Sequence, residues 1–119
     1  MPSAPDPAPR RPSQPDRDRA ARVFAALGDG TRLALLSRLC EGSPRSLVEL
    51  TEGTGLTRQG VAKHLGVLEQ AGVVARSRVG RESRFSVRQE SLADARRYLD
   101  TASRQWDEAI ERLKGFVEG

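Results

Sequence analysis

Cysteine and histidine are almost missing from this 119-residue chain, which contains one of each, Cys40 and His64. One cysteine cannot form an intrachain disulfide, and one thiol with one imidazole is too small a ligand set for a tetrahedral zinc site. With a single histidine and a single cysteine, the chain offers no set of nucleophile and general base, and it also lacks a glycine-rich phosphate loop after a strand. We therefore expect no enzymatic activity, no metal site and no cofactor.

Long apolar runs are missing as well. No stretch of the sequence is long enough to span a bilayer, and the N-terminus has no apolar segment of the kind that signal peptides contain. We expect a cytoplasmic protein that has no membrane partner. Its length suits a single domain with a modest core.

Lysine is scarce although the chain is basic. Of the 20 basic residues, 18 are arginines, and only Lys63 and Lys114 are lysines. Residues 53–90 contain seven basic and three acidic side chains, so this segment alone carries +4, which equals the net charge of the chain. Positive charge concentrated in one segment is typical of nucleic-acid contact.

The proline content divides the chain at its beginning. Residues 1–15 contain six of the seven prolines, which predicts a disordered tail followed by one domain over residues 16–119. A first helix is predicted over Asp16–Leu27. Asp29 is a predicted N-cap for a second helix, Thr31–Cys40, in which Cys40 packs as a small hydrophobe. The residues predicted to face inward on these helices are Ala20, Val23, Phe24, Leu27, Leu33, Leu35, Leu36 and Leu39.

Two short helices joined by a glycine turn follow. Ser46–Glu52 opens with the capping-box spacing S-x-x-E, and Gly53 and Gly55 supply the turn. Thr57 is a predicted N-cap for the next helix, which ends at Gly72 and places Val61, Leu65 and Leu68 on one face. Its exposed first turns carry polar side chains that can bond to base edges and phosphates. The pattern indicates a helix-turn-helix unit. The alternative interpretation is that the second helix is an ordinary amphipathic surface helix with a solvated polar face.

The period then changes from that of a helix to that of a strand. Residues 73–87 alternate apolar and polar side chains about a turn at 79–82, which predicts a two-stranded β-hairpin. Four arginines lie on its outer face or tip: Arg76, Arg78, Arg81 and Arg84. Beside a basic helix they favour a DNA-contacting wing, while arginine that only discourages edge pairing is the alternative interpretation.

The last helix is predicted to begin at Ser91 and to carry a long apolar seam. The seam residues are Leu92, Ala95, Leu99, Ala102, Trp106, Ala109, Leu113 and Phe116, in alternating steps of three and four. A helix of this length spans roughly 40 Å, which is more than so small a core can cover. We therefore expect part of the seam to meet a second copy of the chain.

Two segments carry a resemblance to a known family. LGDGTRLALLSRL, which begins at Leu27, resembles the L-x-D-x-T-R-x-x-I/L-L-x-x-L helix of the ArsR/SmtB winged-helix repressors. VAKHLGVLEQAGVV, which begins at Val61, resembles their V-S-x-H-L-x-x-L-x-x-A-G-L-V segment, and the R-x-G-R turn from Arg78 to Arg81 is similar too. The resemblance extends from residue 16 to about residue 113, with Ala62 in place of the usual serine and Gly30 in place of the usual proline.

The resemblance implies a mainly α, α+β fold: a winged helix-turn-helix of about five helices with one two-stranded β-hairpin wing. It implies a homodimer formed through the terminal helices, which binds an inverted-repeat operator in double-stranded DNA and represses transcription. Combined with the patterns above, it predicts the DNA-binding residues Thr57, Arg58, Gln59, Ala62, Lys63, His64, Arg76, Arg78, Arg81 and Arg84. It predicts the dimer-interface residues Val23, Phe24, Leu99, Ala102, Trp106, Ile110 and Leu113.

The chain departs from the family where metals are sensed. Many members use a Cys-x-Cys on the third helix or an Asp/His set on the last helix, but here the third helix has no cysteine and the last has no histidine. A regulator without metal sensing at these sites is therefore predicted, controlled by a protein partner or by its own abundance. Two alternatives remain open: a winged-helix protein-interaction module, and a MarR-like regulator that responds to a small molecule.

Overall fold

The computed structural model of the chain describes residues 13–118, which form five helices and three strands. In chain order they are α1 (Gln14–Leu27), α2 (Gly30–Cys40), β1 (Arg45–Ser46), α3 (Leu47–Thr51), α4 (Arg58–Gln70), β2 (Val74–Val79), β3 (Glu82–Val87) and α5 (Gln89–Glu118). This order confirms the predicted winged helix-turn-helix. No helix within residues 13–118 is both long enough and apolar enough to cross a membrane.

Helix α1 begins earlier than its apolar pattern predicts. The Ser13 hydroxyl accepts from the Asp16 backbone amide and the Asp16 carboxylate accepts from Ser13, which makes a complete capping box. Pro15 lies in the first turn, where a missing N–H costs no helical hydrogen bond. The boundary at residue 15 is therefore corrected: residues 13–15 form the cap and the first turn. Residues 1–12 of the predicted tail lie outside the described part of the chain.

Helix α2 is capped by Asp29, as predicted, but its buried face is rotated. Leu35, Leu36 and Leu39 are buried, whereas Leu33 is 49% exposed and Cys40 is exposed. Leu35 and Leu39 lie on the same side of Leu36, so the buried arc turns toward them and away from Leu33 and Cys40. The predictions that Leu33 faces inward and that Cys40 packs as a core hydrophobe are therefore wrong.

Helices α3 and α4 form the predicted helix-turn-helix. Ser46 makes the predicted capping box with Glu49. Gly53 and Gly55 take φ values of 76° and 71°, which glycine adopts without the steric cost that a side chain would bring. The apolar face of α4 is fully buried, with Val61, Leu65 and Leu68 at 0% exposure. Burial of this face leaves the opposite side of α4 at the surface.

Strands β2 and β3 pair as the predicted hairpin, and its turn contains Gly80 at φ 65°. The sequence did not predict β1, which pairs antiparallel with β3 through Arg45↔Phe85 and Ser46↔Arg84, giving the strand order β1-β3-β2. Two residues are too few for an alternating pattern to be detected. Strand β1 therefore attaches the base of the β2–β3 wing to the segment that precedes α3.

Helix α5 packs on the domain only through its beginning. Ala95 is buried in the core, and the Tyr98 ring lies 6.0 Å from that of Phe24 on α1. Beyond these residues the apolar seam leaves the domain: Trp106 is 73% exposed and Phe116 is 90% exposed. The core of the described chain therefore does not cover the distal half of α5.

Candidate nucleic-acid interface

The first turns of α4 expose the side chains that the sequence predicts to face DNA. The Thr57 hydroxyl accepts from the Gly60 backbone amide at 3.0 Å, which holds the start of the helix in place. Arg58, Gln59 and Lys63 are exposed, and none of them has an ion pair within residues 13–118. Ala62 lies between them and is half-buried. These cations are free to meet phosphates or base edges.

His64 does not share the open surface of Arg58 and Lys63. Its side chain is 27% exposed, and its Nδ1 lies 3.3 Å from Nη1 of Arg32 and 3.8 Å from Oδ2 of Asp29. It is three residues after Val61, so it points only about 60° from that buried side chain, whereas Lys63 points about 160° away. The predicted DNA-facing role of His64 is thus at odds with where its ring lies.

Two of the four wing arginines are open to solvent. Arg78 and Arg81 are exposed near the hairpin tip, and neither side chain has a hydrogen bond or ion pair to another residue of the 13–118 segment. Arg76 is engaged instead: its Nε lies 3.3 Å from Glu69 of α4, and its guanidinium lies over the Phe85 ring, 5.0 Å from the centroid. It attaches the wing to α4.

Arg84 is engaged on the other face of the hairpin. The register places Arg84 opposite Ser77 and Arg76 opposite Phe85, so the two arginines point to different faces. Arg84 contacts Glu82 on its own strand at 3.1 Å. The predicted wing set therefore divides into two open cations at the tip and two paired cations, of which Arg76 is placed to orient the wing.

The predicted dimer residues also divide. Val23 is 6% exposed and belongs to the hydrophobic core of its own chain, so it cannot offer surface to a partner. Phe24 and Ala102 are half-buried. Four of the predicted interface residues on α5 are exposed apolar side chains: Leu99 at 53%, Trp106 at 73%, Ile110 at 48% and Leu113 at 65%. These side chains lie on one face of α5 that no other residue of 13–118 covers, and this apolar face is here called the α5 seam.

A groove of about 630 Å³ lies between α1, the end of α4 and the first half of α5. Ala20, Val23 and Ala95 form its floor, and Arg19 and Asp16 form an ion pair at 2.7 Å on its rim. Its size lies within the usual range of small-molecule sites. The alternative of a small-molecule-responsive regulator would place its ligand in this groove. Among residues 13–118, no group of three His, Cys, Asp or Glu side chains is arranged to hold a metal ion.

A family model described as "Helix-turn-helix domain" matches residues 27–76, which run from the end of α1 into β2. The chain is 39% identical over 77 residues to the probable mercury resistance operon repressor of Streptomyces lividans, covering 65% of this chain and 61% of that protein. It is 32% identical over 105 residues to the HTH-type transcriptional repressor SmtB of Mycobacterium tuberculosis, covering 86% of this chain and 76% of the repressor. These relatives are named as regulators, not as enzymes.

Solved structures show the same relationship. An ArsR-like transcriptional regulator from Rhodococcus superimposes with a TM-score of 0.73 at 33% identity, covering 84% of this chain and 93% of the other. The homodimeric winged helix-turn-helix DNA-binding domain of a possible ArsR-family regulator from Mycobacterium bovis superimposes with a TM-score of 0.61 at 25% identity, covering 94% and 95%. The identity and coverage of SmtB and of the Rhodococcus protein, together with the shared fold, show that this chain belongs to the ArsR/SmtB family of helix-turn-helix transcriptional regulators.

Proposed function

We propose that this regulator binds an inverted-repeat operator as a homodimer and represses transcription from it. The proposal rests on one observation: the same domain exposes a polar face on α4 and two arginines without ion pairs at the tip of the wing. The relatives named as repressors support the direction of the effect. The interaction-module alternative requires no such basic surface.

Helix α4 is the proposed recognition helix. A helix with one fully buried apolar face and an exposed face bearing Arg58, Gln59 and Lys63 has the shape and the donors that a B-DNA major groove accepts. The Thr57 hydroxyl oxygen accepts a hydrogen bond from the Gly60 amide, and the hydroxyl proton remains available to a phosphate. Ala62 offers only an apolar contact, since it replaces the serine that the family usually has there.

The α5 seam is the proposed dimer interface. A second copy is the simplest partner for an exposed apolar stripe with helix-packing spacing, and a two-fold axis makes the stripe self-complementary. The homodimeric M. bovis domain supports this assembly. Two recognition helices related by such an axis would meet half-sites about one helical turn, or 34 Å, apart.

The wing provides the test of DNA binding. Removing the open cations in Arg78→Ala and Arg81→Ala should weaken binding to all DNA sequences alike, because phosphate contacts carry no base information. Each lost contact should also flatten the dependence of log affinity on log salt by about one unit. Fluorescence anisotropy with the protein's own upstream DNA at several salt concentrations measures both effects.

Arg104→Ala is the matched control, since it removes an exposed arginine from α5 and should leave the salt slope unchanged. A change in sequence preference at an unchanged salt slope would contradict the phosphate role of the wing. If the affinity of the parent protein for DNA does not depend on salt concentration, the interaction-module alternative would be favoured instead.

We also expect regulation without metal. Zinc and softer ions need several thiolate and imidazole ligands, and the chain has Cys40 and His64, 24 residues apart in sequence. Cys40 lies exposed at the end of α2 and His64 is directed at Arg32, so the two are not paired. Calorimetric titration with zinc or cadmium should show no micromolar site, and neither metal should release the protein from DNA in a gel shift. One tight site per subunit, coupled to a large loss of DNA affinity, would overturn this expectation.

A further inference from the structure

We propose that Arg32 and His64 form a clamp that positions the recognition helix, and that His64 acts through its Nδ1 on Arg32 rather than on DNA. The proposal rests on the proposed function, because it assigns the orientation of α4 in the DNA groove to this contact. The clamp consists of Asp29, Arg32 and His64, and it links the start of α2 to the middle of α4.

Arg32 connects three helices. Its backbone amide donates to the Asp29 carboxylate at 3.0 Å at the start of α2, and its Nε donates to the carbonyl oxygen of Ala26 in the last turn of α1. That carbonyl is among the last four of a helix, which have no partner inside the helix. Nη1 of the same guanidinium reaches His64 on α4 at 3.3 Å. One half-buried side chain thus ties the end of α1 to α4.

The proton arrangement follows from the chemistry of arginine. A guanidinium only donates, so Nδ1 of His64 accepts from Arg32, and the neutral imidazole then carries its proton on Nε2. Asp29 acts on the arginine of the clamp. Its pKa is lowered, chiefly because its carboxylate accepts the backbone hydrogen bond from Arg32, so it stays negatively charged next to the guanidinium.

The hydrogen bond between Arg32 and His64 can fix the rotation of α4 about its own axis, which the apolar face of α4 does not fix. Val61, Leu65 and Leu68 set how deeply the helix is seated, but apolar contacts are non-directional and tolerate a small rotation about the helix axis. A hydrogen bond from a guanidinium requires a narrow range of angles. Because a binding site tolerates misplacement of only about 0.5 Å, a rotation of α4 would move Lys63 and Arg58 away from their DNA contacts.

The test uses two amides that each replace one nitrogen of the imidazole. His64→Asn places its amide group near the position of Nδ1 and can keep the acceptor, whereas His64→Gln places its amide near Nε2 and loses that acceptor. We expect His64→Asn to bind operator DNA within about threefold of the parent, and His64→Gln and Arg32→Gln each to lose about tenfold in affinity. Arg22→Gln, which makes the same substitution at an exposed position of α1, is the control and should change little.

The double variant Arg32→Gln/His64→Gln should be no weaker than the weaker single variant, because both changes break the same contact. Full additivity of the two losses would overturn the clamp. The reverse pattern, with Gln tolerated and Asn not, would show that His64 acts through Nε2 and would overturn it as well. Thermal unfolding followed by circular dichroism confirms that each variant is folded at the assay temperature.

A measurement without DNA separates this proposal from the proposed function. The ¹⁵N chemical shifts of the His64 ring in the free protein should report an unprotonated, hydrogen-bonded Nδ1 and a protonated Nε2. The two nitrogen shifts should move toward those of a mixture of tautomers in Arg32→Gln but not in Arg22→Gln. Unchanged shifts in Arg32→Gln would overturn the clamp, whereas a parent protein that fails to bind its upstream DNA would overturn the proposed function.

Discussion

Replacing Trp106 with glutamate is expected to convert the protein into a monomer and to remove operator binding. Trp106 is 73% exposed at the centre of the α5 seam, between Leu99 and Leu113. A buried aromatic anchor at an interface contributes on the order of 2 kcal/mol or more. The substitution occurs twice in a two-fold dimer, so dimerisation should weaken by roughly 4 kcal/mol, or about a thousandfold. Sedimentation velocity and gel shift measure the two losses.

Leu33→Glu is the matched control for this variant. Leu33 is an exposed leucine, at 49%, on α2 and off the seam, so a charge there should leave the dimer intact. The Trp106 variant should retain its folded domain, because the core cluster contains no residue beyond Ala95 on α5. A Trp106→Glu protein that sediments as a dimer and binds operator DNA normally would exclude the α5 seam as the interface.

Replacing Lys63 with alanine is expected to weaken operator binding by about 1–3 kcal/mol if Lys63 contacts a base edge. Its side chain is exposed on the face of α4 opposite Val61, and it has no ion pair within the described residues 13–118 that would hold it to the protein. Arg58→Ala should have an effect of the same size for the same reason. Unlike the wing variants, these two should also relax sequence preference at one position of each half-site.

The second lysine of the chain provides the control. Lys114 lies on α5, 3.6 Å from Glu111, and Lys114→Ala removes the same charge from α5 instead of α4. Binding curves against operator and scrambled DNA distinguish a specific loss from a general one. If Lys63→Ala and Arg58→Ala bind the operator as tightly as the parent, α4 is not the recognition helix.

Local features of the chain were predictable wherever neighbours in sequence decide them. Thr57 as N-cap, the buried set of Val61, Leu65 and Leu68, and the turn at Gly80 all follow from spacing and from the conformational freedom of glycine. The identity of the open cations Arg58 and Lys63 follows from the same helical phase. The same phase places His64 beside the buried face, a signal that the prediction of His64 as a DNA-facing residue did not use.

Pairings between distant residues were not predictable. Arg76 resembles Arg78 and Arg81 in sequence, and only the position of Glu69 on α4 determines that Arg76 is engaged. The family resemblance placed Val23 at the dimer interface, yet α1 packs so that this side chain enters the core of its own chain. The two-residue strand β1 exists only because β3 passes beside it.

The helices, the hairpin, the basic face of α4 and the surplus length of α5 were all predictable from the sequence, because each is set by the periodicity of side chains along one element. Which of Arg76, Arg78 and Arg81 is held by an ion pair, and which side chain His64 contacts, depend on tertiary packing. Arg32 and His64 lie 32 residues apart, and their contact depends on how α1, α2 and α4 pack against one another. Periodicity predicts which side of a helix is buried, but it does not predict which polar group of another helix that side contacts.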